Sequence, residues 1–361
     1  MTATSSSIIK KLLIVFLVVA GLILAKEFLV PMAIGAVLAT LFLPVSQWLE
    51  RKQVPKAIAV FMCLLILLLF VSGIFALIGW QVSELTSDMN LIKQKALDTA
   101  EHVQQYIFNQ FGIPRDTQTK LIKDQQATFT GFLESMAGSM VSIFTGFILT
   151  MVYIFLLLYY RSHLKKFILK LYPVAQREEA AQLIYSATNV SQQYLLGLSK
   201  MIGCLWIMYS IGFSVVGVEN AIFFAVLCGL LEIVPFVGNI TGTTITLLVA
   251  AVNGGNFAML AGVVVTYGIV QFIQGWVLEP LIVGPQVKIN PFSTIIALII
   301  GELIWGIPGV VLAIPLTAMF KIVCDHVEPL KPYGFLIGEI ESDHSTGYID
   351  KIKDWFKKIR K

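Results

Sequence analysis

The sequence predicts an all-α polytopic membrane protein with about six full transmembrane helices, two re-entrant helical hairpins and an external helical hairpin insertion. Apolar residues make up 57% of its 361 residues and charged residues 13%, whereas soluble domains average about 45 to 50% and about 25%. The apolar residues form charge-free blocks, and a helix needs about 20 residues to cross the hydrocarbon core of a bilayer. Several blocks are that long, so the chain length indicates a series of membrane spans rather than several soluble domains.

The full spans are predicted between the charged residues that bound these blocks. The first block follows Lys10 and Lys11 and resembles the apolar part of a signal peptide, but no small-residue cleavage site follows it. We therefore interpret it as a retained span. The six predicted spans lie near residues 9–25, 28–49, 57–80, 139–160, 202–218 and 257–278.

Clusters of Lys and Arg predict the orientation of these spans, because cytoplasmic flanks retain positive charge during insertion. The clusters at Lys10, Arg51 and Arg161 agree with one another. They place both termini in the cytoplasm of a multi-pass protein of the bacterial inner membrane, with the lipid bilayer as its first partner.

The predicted organisation has six parts. The segment 161–201 is an amphipathic stretch, which we interpret as a surface helix that ends at Lys200. The C-terminal tail is expected either to contact an anionic membrane surface or to pack on its own protein. The parts are 1–83 with three transmembrane helices, 84–138 as the external (periplasmic) helical hairpin, 139–160 as the fourth helix, 161–201 as the cytoplasmic amphipathic segment, 202–320 as a transport core, and 321–361 as a basic amphipathic tail.

Two apolar blocks in the core are interrupted by Pro and Gly. Residues 221–252 are broken at Pro235 to Asn239, and residues 292–320 are broken at Gly306 to Gly309. The halves are too short to cross a bilayer comfortably, so both blocks are interpreted as re-entrant hairpins. Broken helices expose backbone polar groups, which are tolerated at membrane depth where they line a cavity, and such pairs form substrate sites in transporters.

Polar residues in and beside the hairpins are the candidate pathway for a solute or an ion. Glu232 and Glu302 each precede a turn, and a carboxylate buried at membrane depth should face a partner, an ion or a cavity. They are therefore candidates for proton or cation coupling, although a carboxylate that only holds the hairpin shape is an equal alternative. The side-chain amides among the other candidates suit either a hydroxylated solute or helix-to-helix hydrogen bonds. The other candidates are Pro235, Gly238, Asn239, Thr241, Gln271, Gln274, Glu279, Asn290, Pro291, Gly306, Pro308 and Gly309.

Several classes of function lack their sequence patterns. No phosphate-binding G-x-x-x-x-G-K-[ST], no H-E-x-x-H and no G-x-S-x-G occurs, so neither an ATP-driven pump nor an enzyme is expected. The four cysteines lie singly in apolar stretches and the four histidines are scattered, which predicts no metal site and no cofactor. Nothing in the sequence predicts a nucleic-acid partner.

Three stretches together resemble the autoinducer-2 exporter family, also called PerM-like permeases, and the resemblance covers nearly the whole chain. It implies seven or eight hydrophobic segments, export of a small solute and a homo-oligomer. Some members are linked to export of the quorum-sensing furanone autoinducer-2, and others resemble sodium or lithium to proton antiporters. The stretches are Glu232-x-x-Pro235-x-x-Gly238, then Glu279-Pro280-x-x-x-Gly284-x-x-Val287-x-Ile289-Asn290-Pro291, and Gly306-Ile-Pro-Gly309 with Ala313-Ile-Pro315.

The chain also departs from the commonest family pattern. Asn290 stands where many members have His, and Glu302 stands where many have a small residue. The expected function is a proton-coupled secondary transporter that exports a small solute such as an autoinducer-2-like molecule or a related metabolite. The alternatives are a sodium or lithium to proton antiporter, a passive channel and a non-transporting membrane scaffold.

Overall fold

The computed structural model of the chain describes residues 2–87, 144–235 and 237–339. Within these ranges the chain is helical and contains no β-strand, which confirms the all-α prediction. The predicted external hairpin, apart from residues 84–87, and the predicted tail helix after residue 339 lie outside the described residues. The main helices are α1 (Thr2–Leu24), α2 (Lys26–Arg51), α3 (Lys56–Ser87), α4 (Phe144–Lys170), α5 (Arg177–Val216), α6 (Ala221–Leu231), α7 (Val237–Val252), α8 (Phe257–Ile273), α9 (Gly284–Val287), α10 (Pro291–Trp305), α11 (Ile307–His326) and α12 (Lys331–Ile337), with a π-helical segment (Gln274–Val283) between α8 and α9.

The described residues contain six helical stretches that are long and apolar enough to cross a membrane. Five of them overlap predicted spans. The sixth is Ile307–His326, which was not among the predicted full spans. The predicted span 9–25 is not among the six, because the apolar part of α1, Leu12–Leu24, is shorter than the other stretches. The six stretches are Lys26–Arg51, Lys56–Trp80, Phe144–Lys170, Val174–Val216, Phe257–Val283 and Ile307–His326.

Both predicted helix breaks are present. The first lies between α6 and α7, where Gly238 allows a sharp turn because a Cβ there would overlap the carbonyl oxygen of Leu231. The second is the single residue Gly306, whose φ of +64° suits glycine. The depth of the two hairpins in a membrane stays a prediction.

The second hairpin is longer than predicted. Its two halves, α10 with 15 residues and α11 with 20, pack closely because a Cβ on Gly309 would overlap the backbone of Gly301. The second half was expected to end at residue 320, but α11 continues to His326. It is long enough to cross a bilayer on its own.

The central element is α5, which contains 40 residues and contacts α2, α6, α8, α11 and the π-helical segment. The predicted helix end at Lys200 is wrong, because Ser191, Tyr194, Gly197 and Met201 continue one buried stripe through that position. Three- and four-residue steps keep these residues on one face of an α-helix. The segment after Arg177 is therefore the first half of a long helix of the core.

Two clusters of buried apolar side chains hold the helices together. The larger one surrounds α5, where Leu205, Tyr209 and Phe213 are fully buried against α6 and α8. The smaller one joins α2, α3 and α4, and an ion pair between Arg161 of α4 and Glu50 near the end of α2, at 2.5 Å, links two of these helices. Apolar side chains remain exposed along the outer faces of the helices, as expected for contact with lipid.

Candidate functional site

A chamber of about 150 Å³ lies where the first helix break meets α5 and the π-helical segment. We call it the Glu232 chamber. Ile314 of α11 also reaches it, so both hairpins contribute to its walls. The lining residues are Tyr194, Leu198, Met201, Glu232, Ile233, Pro235, Asn239, Gln271, Gln274, Gly275, Glu279, Val283 and Ile314.

Glu232 is the buried carboxylate of the chamber. It follows the last residue of α6 directly and is only 6% exposed. Its Oε1 accepts a hydrogen bond from Gln274 Nε2 at 2.7 Å, whereas its Oε2 is buried without a hydrogen-bond partner among the described residues. A buried charged oxygen without a partner is costly. Glu232 therefore has an unused acceptor at the chamber wall.

Three side-chain amides form a chain that ends on this carboxylate. Asn239 Nδ2 donates to Gln271 Oε1 at 2.9 Å, and Gln271 Nε2 donates to Gln274 Oε1 at 3.3 Å. Gln271 Nε2 also donates to the hydroxyl of Tyr209 at 3.2 Å. Each amide donates an N–H to the next group along the chain, and the last of them, Gln274, donates to Oε1 of Glu232. None of these donors reaches Oε2, which stays without a partner among the described residues. This oxygen is enclosed in the wall, so a cation or the hydroxyl of a solute can contact it only after the wall shifts.

The π-helical segment Gln274–Val283 forms one wall of the chamber. Pro280 lies within it and has no N–H, so it donates no hydrogen bond to a carbonyl oxygen of the preceding turn. π-Helical turns are rare in proteins, but those that occur are often at functional sites. Gly197 of α5 permits the close approach of this segment, since a Cβ there would lie 2.8 Å from the carbonyl oxygen of Ile282.

Six of the predicted pathway residues therefore meet in one chamber, although they lie far apart in sequence. Gly238 makes the adjoining turn without lining the cavity, and Thr241 is exposed, with its hydroxyl donating to the carbonyl oxygen of Val237 at 2.7 Å. The six residues are Glu232, Pro235, Asn239, Gln271, Gln274 and Glu279.

Glu302 does not lie in this chamber. It is exposed on α10, so the expectation that it is buried is wrong for the single chain. The physical reason is helical geometry, because the neighbouring Gly301 packs on α11 and successive residues of an α-helix point about 100° apart. The expected equivalence of Glu232 and Glu302 in the two hairpins is not present.

The remaining residues of the second hairpin shape its backbone. Gly306 and Pro308 form the turn between α10 and α11, and Gly309 allows their close contact. Gly309 also lines a separate apolar cavity of about 380 Å³ between α1, α10, α11 and α12. Its lining is almost entirely apolar, which does not suit a hydrophilic solute.

Asn290 and Pro291 begin α10, where Asn290 caps the helix. Its Oδ1 accepts from the Ser293 backbone N–H at 2.8 Å, and its Nδ2 donates to the carbonyl oxygens of Leu336 and Gly338 at 2.7 and 2.8 Å. These contacts tie the end of α12 to the start of the second hairpin. They use both amide hydrogens of Asn290, so this residue has no N–H left for a solute.

Sequence reasoning missed two tyrosines of α5 that belong to the site. Tyr194 lines the chamber and Tyr209 accepts from Gln271, and both are buried. The signal that could have found Tyr194 is the stripe of three- and four-residue steps that passes through Lys200. No group of three or more His, Cys, Asp or Glu side chains that could hold a metal ion occurs among the residues described.

Comparison with known proteins places the whole chain in a family. The sequence model of a family described as "AI-2E family transporter" matches residues 12–328 of this chain. The chain belongs to the AI-2E transporter family. Among its relatives is a Bacillus subtilis (strain 168) protein called "Putative transport protein YrrI", which is 25% identical over 315 residues that cover 83% of this chain and 87% of the relative.

Other AI-2E relatives have names of the same kind. A Borreliella burgdorferi protein called "Putative transport protein" is 25% identical over 91% of this chain and 90% of its own length. The Escherichia coli (strain K12) protein YhhT is 22% identical over 93% of this chain and 95% of its own length. This AI-2E protein is therefore a multi-pass membrane transporter.

Proposed function

We propose that this AI-2E protein exports a small hydroxylated solute from the cytoplasm and couples the export to protons at Glu232. The solute is an autoinducer-2-like signalling molecule or a related metabolite. The observation that carries the proposal is a buried carboxylate with one free oxygen, placed where a helix is broken in the middle of the core. Carboxylates in such positions are typical of ion and substrate pathways in membranes.

The size and chemistry of the chamber support a small polar ligand. Its volume of about 150 Å³ is room for a few water molecules or one compact solute. The amides of Asn239, Gln271 and Gln274 offer neutral hydrogen-bonding groups around the carboxylate. A compact solute with several hydroxyl groups would replace the water that such a polar chamber requires.

The hydrogen bonds around Glu232 suggest how a proton can affect the site. The ionised carboxylate accepts from Gln274, which in turn accepts from Gln271. A proton on Oε2 removes the charge and turns that oxygen into a donor. The ionised chamber favours a ligand that donates hydrogen bonds or carries a positive charge, whereas the protonated chamber favours a ligand that accepts a hydrogen bond. Proton binding and solute binding therefore affect each other.

A second candidate function is sodium or lithium to proton antiport. The observation that favours it is the excess of acceptors, because Glu232 and Glu279 line one small chamber that no Lys, Arg or His of the described residues lines. Carboxylate, carbonyl and amide oxygens are suitable ligands for a hard cation. A cation and a proton would then compete for Glu232.

The proposal includes the assembly and the placement of the protein. We propose a homo-oligomer in the bacterial inner membrane with both termini in the cytoplasm. The family resemblance supports the homo-oligomer, and the distribution of Lys and Arg supports the orientation. No enzymatic step is part of the proposed function.

Transport by the purified protein in proteoliposomes tests the proposal. Internal pH is followed while gradients of sodium, lithium or potassium are imposed, and uptake of labelled autoinducer-2 is measured with and without a proton gradient. Glu232→Gln is compared with Glu302→Gln, a matched control because Glu302 is exposed and does not line the chamber.

Each outcome supports one function. Proton-driven movement of the labelled solute that disappears only in Glu232→Gln supports export, and a cation-driven pH change with the same sensitivity supports antiport. Transport that is unaffected by Glu232→Gln contradicts the role of the chamber. A wild-type protein that moves none of these probes favours a membrane scaffold.

A further inference from the structure

A third cavity lies beside the Glu232 chamber, on a neighbouring face of α5. Its volume is about 290 Å³, and we call it the Lys200 pocket. Its α5 residues recur at three- and four-residue steps and share one face, which lies about 100° around the helix axis from the face that lines the chamber. The end of the π-helical segment and α9 form the opposite wall. The lining residues are Gln193, Leu196, Gly197, Lys200, Leu281, Ile282 and Gln286.

The polar side chains of the Lys200 pocket favour an anion. Lys200 forms no ion pair with any described residue, and no Asp or Glu of the described ranges lines the pocket. Gln193 and Gln286 make no side-chain hydrogen bond within the described part of the chain. A lysine ammonium has three N–H donors and each side-chain amide has two. The described lining therefore presents a positive charge and several unused donors to a negatively charged ligand.

Lys200 lies at the level where α5 enters the hydrocarbon core. It is the last charged residue before the charge-free stretch 201–218, and long basic side chains at such positions reach towards lipid headgroups. The predicted orientation places this level on the cytoplasmic side. Leu196 is exposed on the same face of α5, and Leu281 is 70% exposed on the opposite wall. Apolar side chains therefore flank the polar groups, which suits a ligand that has both a charged headgroup and acyl chains.

We propose that the Lys200 pocket binds the phosphate group of an anionic phospholipid of the cytoplasmic leaflet. Lys200 provides the positive charge, and Gln193 and Gln286 donate hydrogen bonds to phosphate oxygens. Basic pockets between transmembrane helices bind headgroups of this kind. The exposed Leu196 and Leu281 contact the acyl chains.

The bound lipid has a structural consequence for the Glu232 chamber. Gly197 brings α5 and the π-helical segment together, since a Cβ there would lie 2.8 Å from the carbonyl oxygen of Ile282. A phosphate held by Lys200 of α5 and Gln286 of α9 joins the two sides of this contact. The same helix α5 and the π-helical segment form part of the chamber wall. The lipid should therefore stabilise that wall and raise the thermal midpoint of the protein.

Lipid binding by the full-length protein in detergent, freed of endogenous lipid, tests the proposal. Native mass spectrometry measures the dissociation constant for phosphatidylglycerol, and the thermal midpoint is followed across the same titration. Phosphatidylglycerol should raise the midpoint, whereas phosphatidylcholine with the same acyl chains should not. Lys200→Gln should weaken the binding of phosphatidylglycerol at least about fivefold, because it removes the positive charge. Lys200→Arg keeps the charge and should stay within about twofold of the wild type.

Lys166→Gln is the matched control. It removes the same charge from an exposed position on α4 that does not line the pocket, so the affinity should equal that of the wild type. Gln193→Leu and Gln286→Leu keep Lys200 and should each weaken binding at least about twofold, because each removes a hydrogen bond to a charged group. Equal losses in Lys166→Gln and Lys200→Gln indicate a general attraction between basic residues and anionic lipid, and overturn the proposal.

Soluble phosphates separate the lipid from a free ligand of the same chemistry. Inorganic phosphate and glycerol 3-phosphate, at the concentrations used for the lipid, should leave the midpoint unchanged because they have no acyl chains. A midpoint shift with either one that disappears in Lys200→Gln assigns the pocket to a soluble phosphate and overturns the lipid as its ligand. Equal affinities for phosphatidylglycerol and phosphatidylcholine overturn the role of Lys200.

Discussion

Replacement of Glu232 by glutamine should make the protein more stable while it abolishes transport. The wild-type carboxylate has one oxygen bonded to Gln274 at 2.7 Å and one buried oxygen without a partner among the described residues. Leaving a buried polar group unsatisfied costs about 1 to 3 kcal/mol, and more when the group is charged. A glutamine can still accept from Gln274, and its neutral amide costs less to bury than an ion. The amide N–H₂ group that replaces Oε2 is itself buried without a partner, so the gain comes only from burying a neutral group instead of an ion. We therefore expect a gain of about 1 kcal/mol in the free energy of unfolding.

The measurement is the unfolding midpoint of the purified protein in detergent, with transport measured on the same preparation. A gain in stability together with a loss of flux indicates that the carboxylate is kept for function at the expense of stability. A loss of 1 kcal/mol or more in Glu232→Gln would refute this reasoning. It would show that the ionised carboxylate holds the helix break together, which is the structural role that the sequence left open.

Three further predictions follow from single contacts. Asn290→Ala should lower the free energy of unfolding by about 2 to 4 kcal/mol, because it removes a helix cap and two hydrogen bonds to the carbonyl oxygens of Leu336 and Gly338. Asn290→Asp keeps the cap and should lose less, as measured by denaturant unfolding. Gly197→Ala should displace the carbonyl of Ile282 and reduce flux without loss of folded protein, as seen by gel filtration. Gly309→Ala should separate α10 from α11 and lower the thermal midpoint, with a cost of at least about 1 to 3 kcal/mol.

The parts of the fold that the sequence predicts well depend on local composition. Charge-free blocks report the lipid environment of each segment directly, and Pro235 and Gly306 interrupt helices through their own backbone chemistry. For this reason five of six spans and both helix breaks agree with the structure. The same logic correctly selected Glu232 as a carboxylate buried within the core.

The missed features depend on contacts between distant residues. The exposure of Glu302 cannot be inferred from its apolar neighbours, because the face of α10 that packs on α11 is decided by Gly301 and Gly309. Asn290 bonds to residues 46 and 48 positions later, which no local pattern indicates. The π winding of residues 274–283 also lacks a local signature, since Pro280 is equally compatible with an ordinary kink.

The length of α5 has a mechanical consequence. At 1.5 Å per residue its 40 residues extend about 60 Å, roughly twice the thickness of the hydrocarbon core. Its first residue, Arg177, lies about 25 Å along the axis from Tyr194 in the chamber wall. The helix is thus a stiff rod that is longer than the bilayer core is thick, with its middle in the wall of the Glu232 chamber. Any force or binding partner that tilts residues 177–190 would tilt the chamber wall with them.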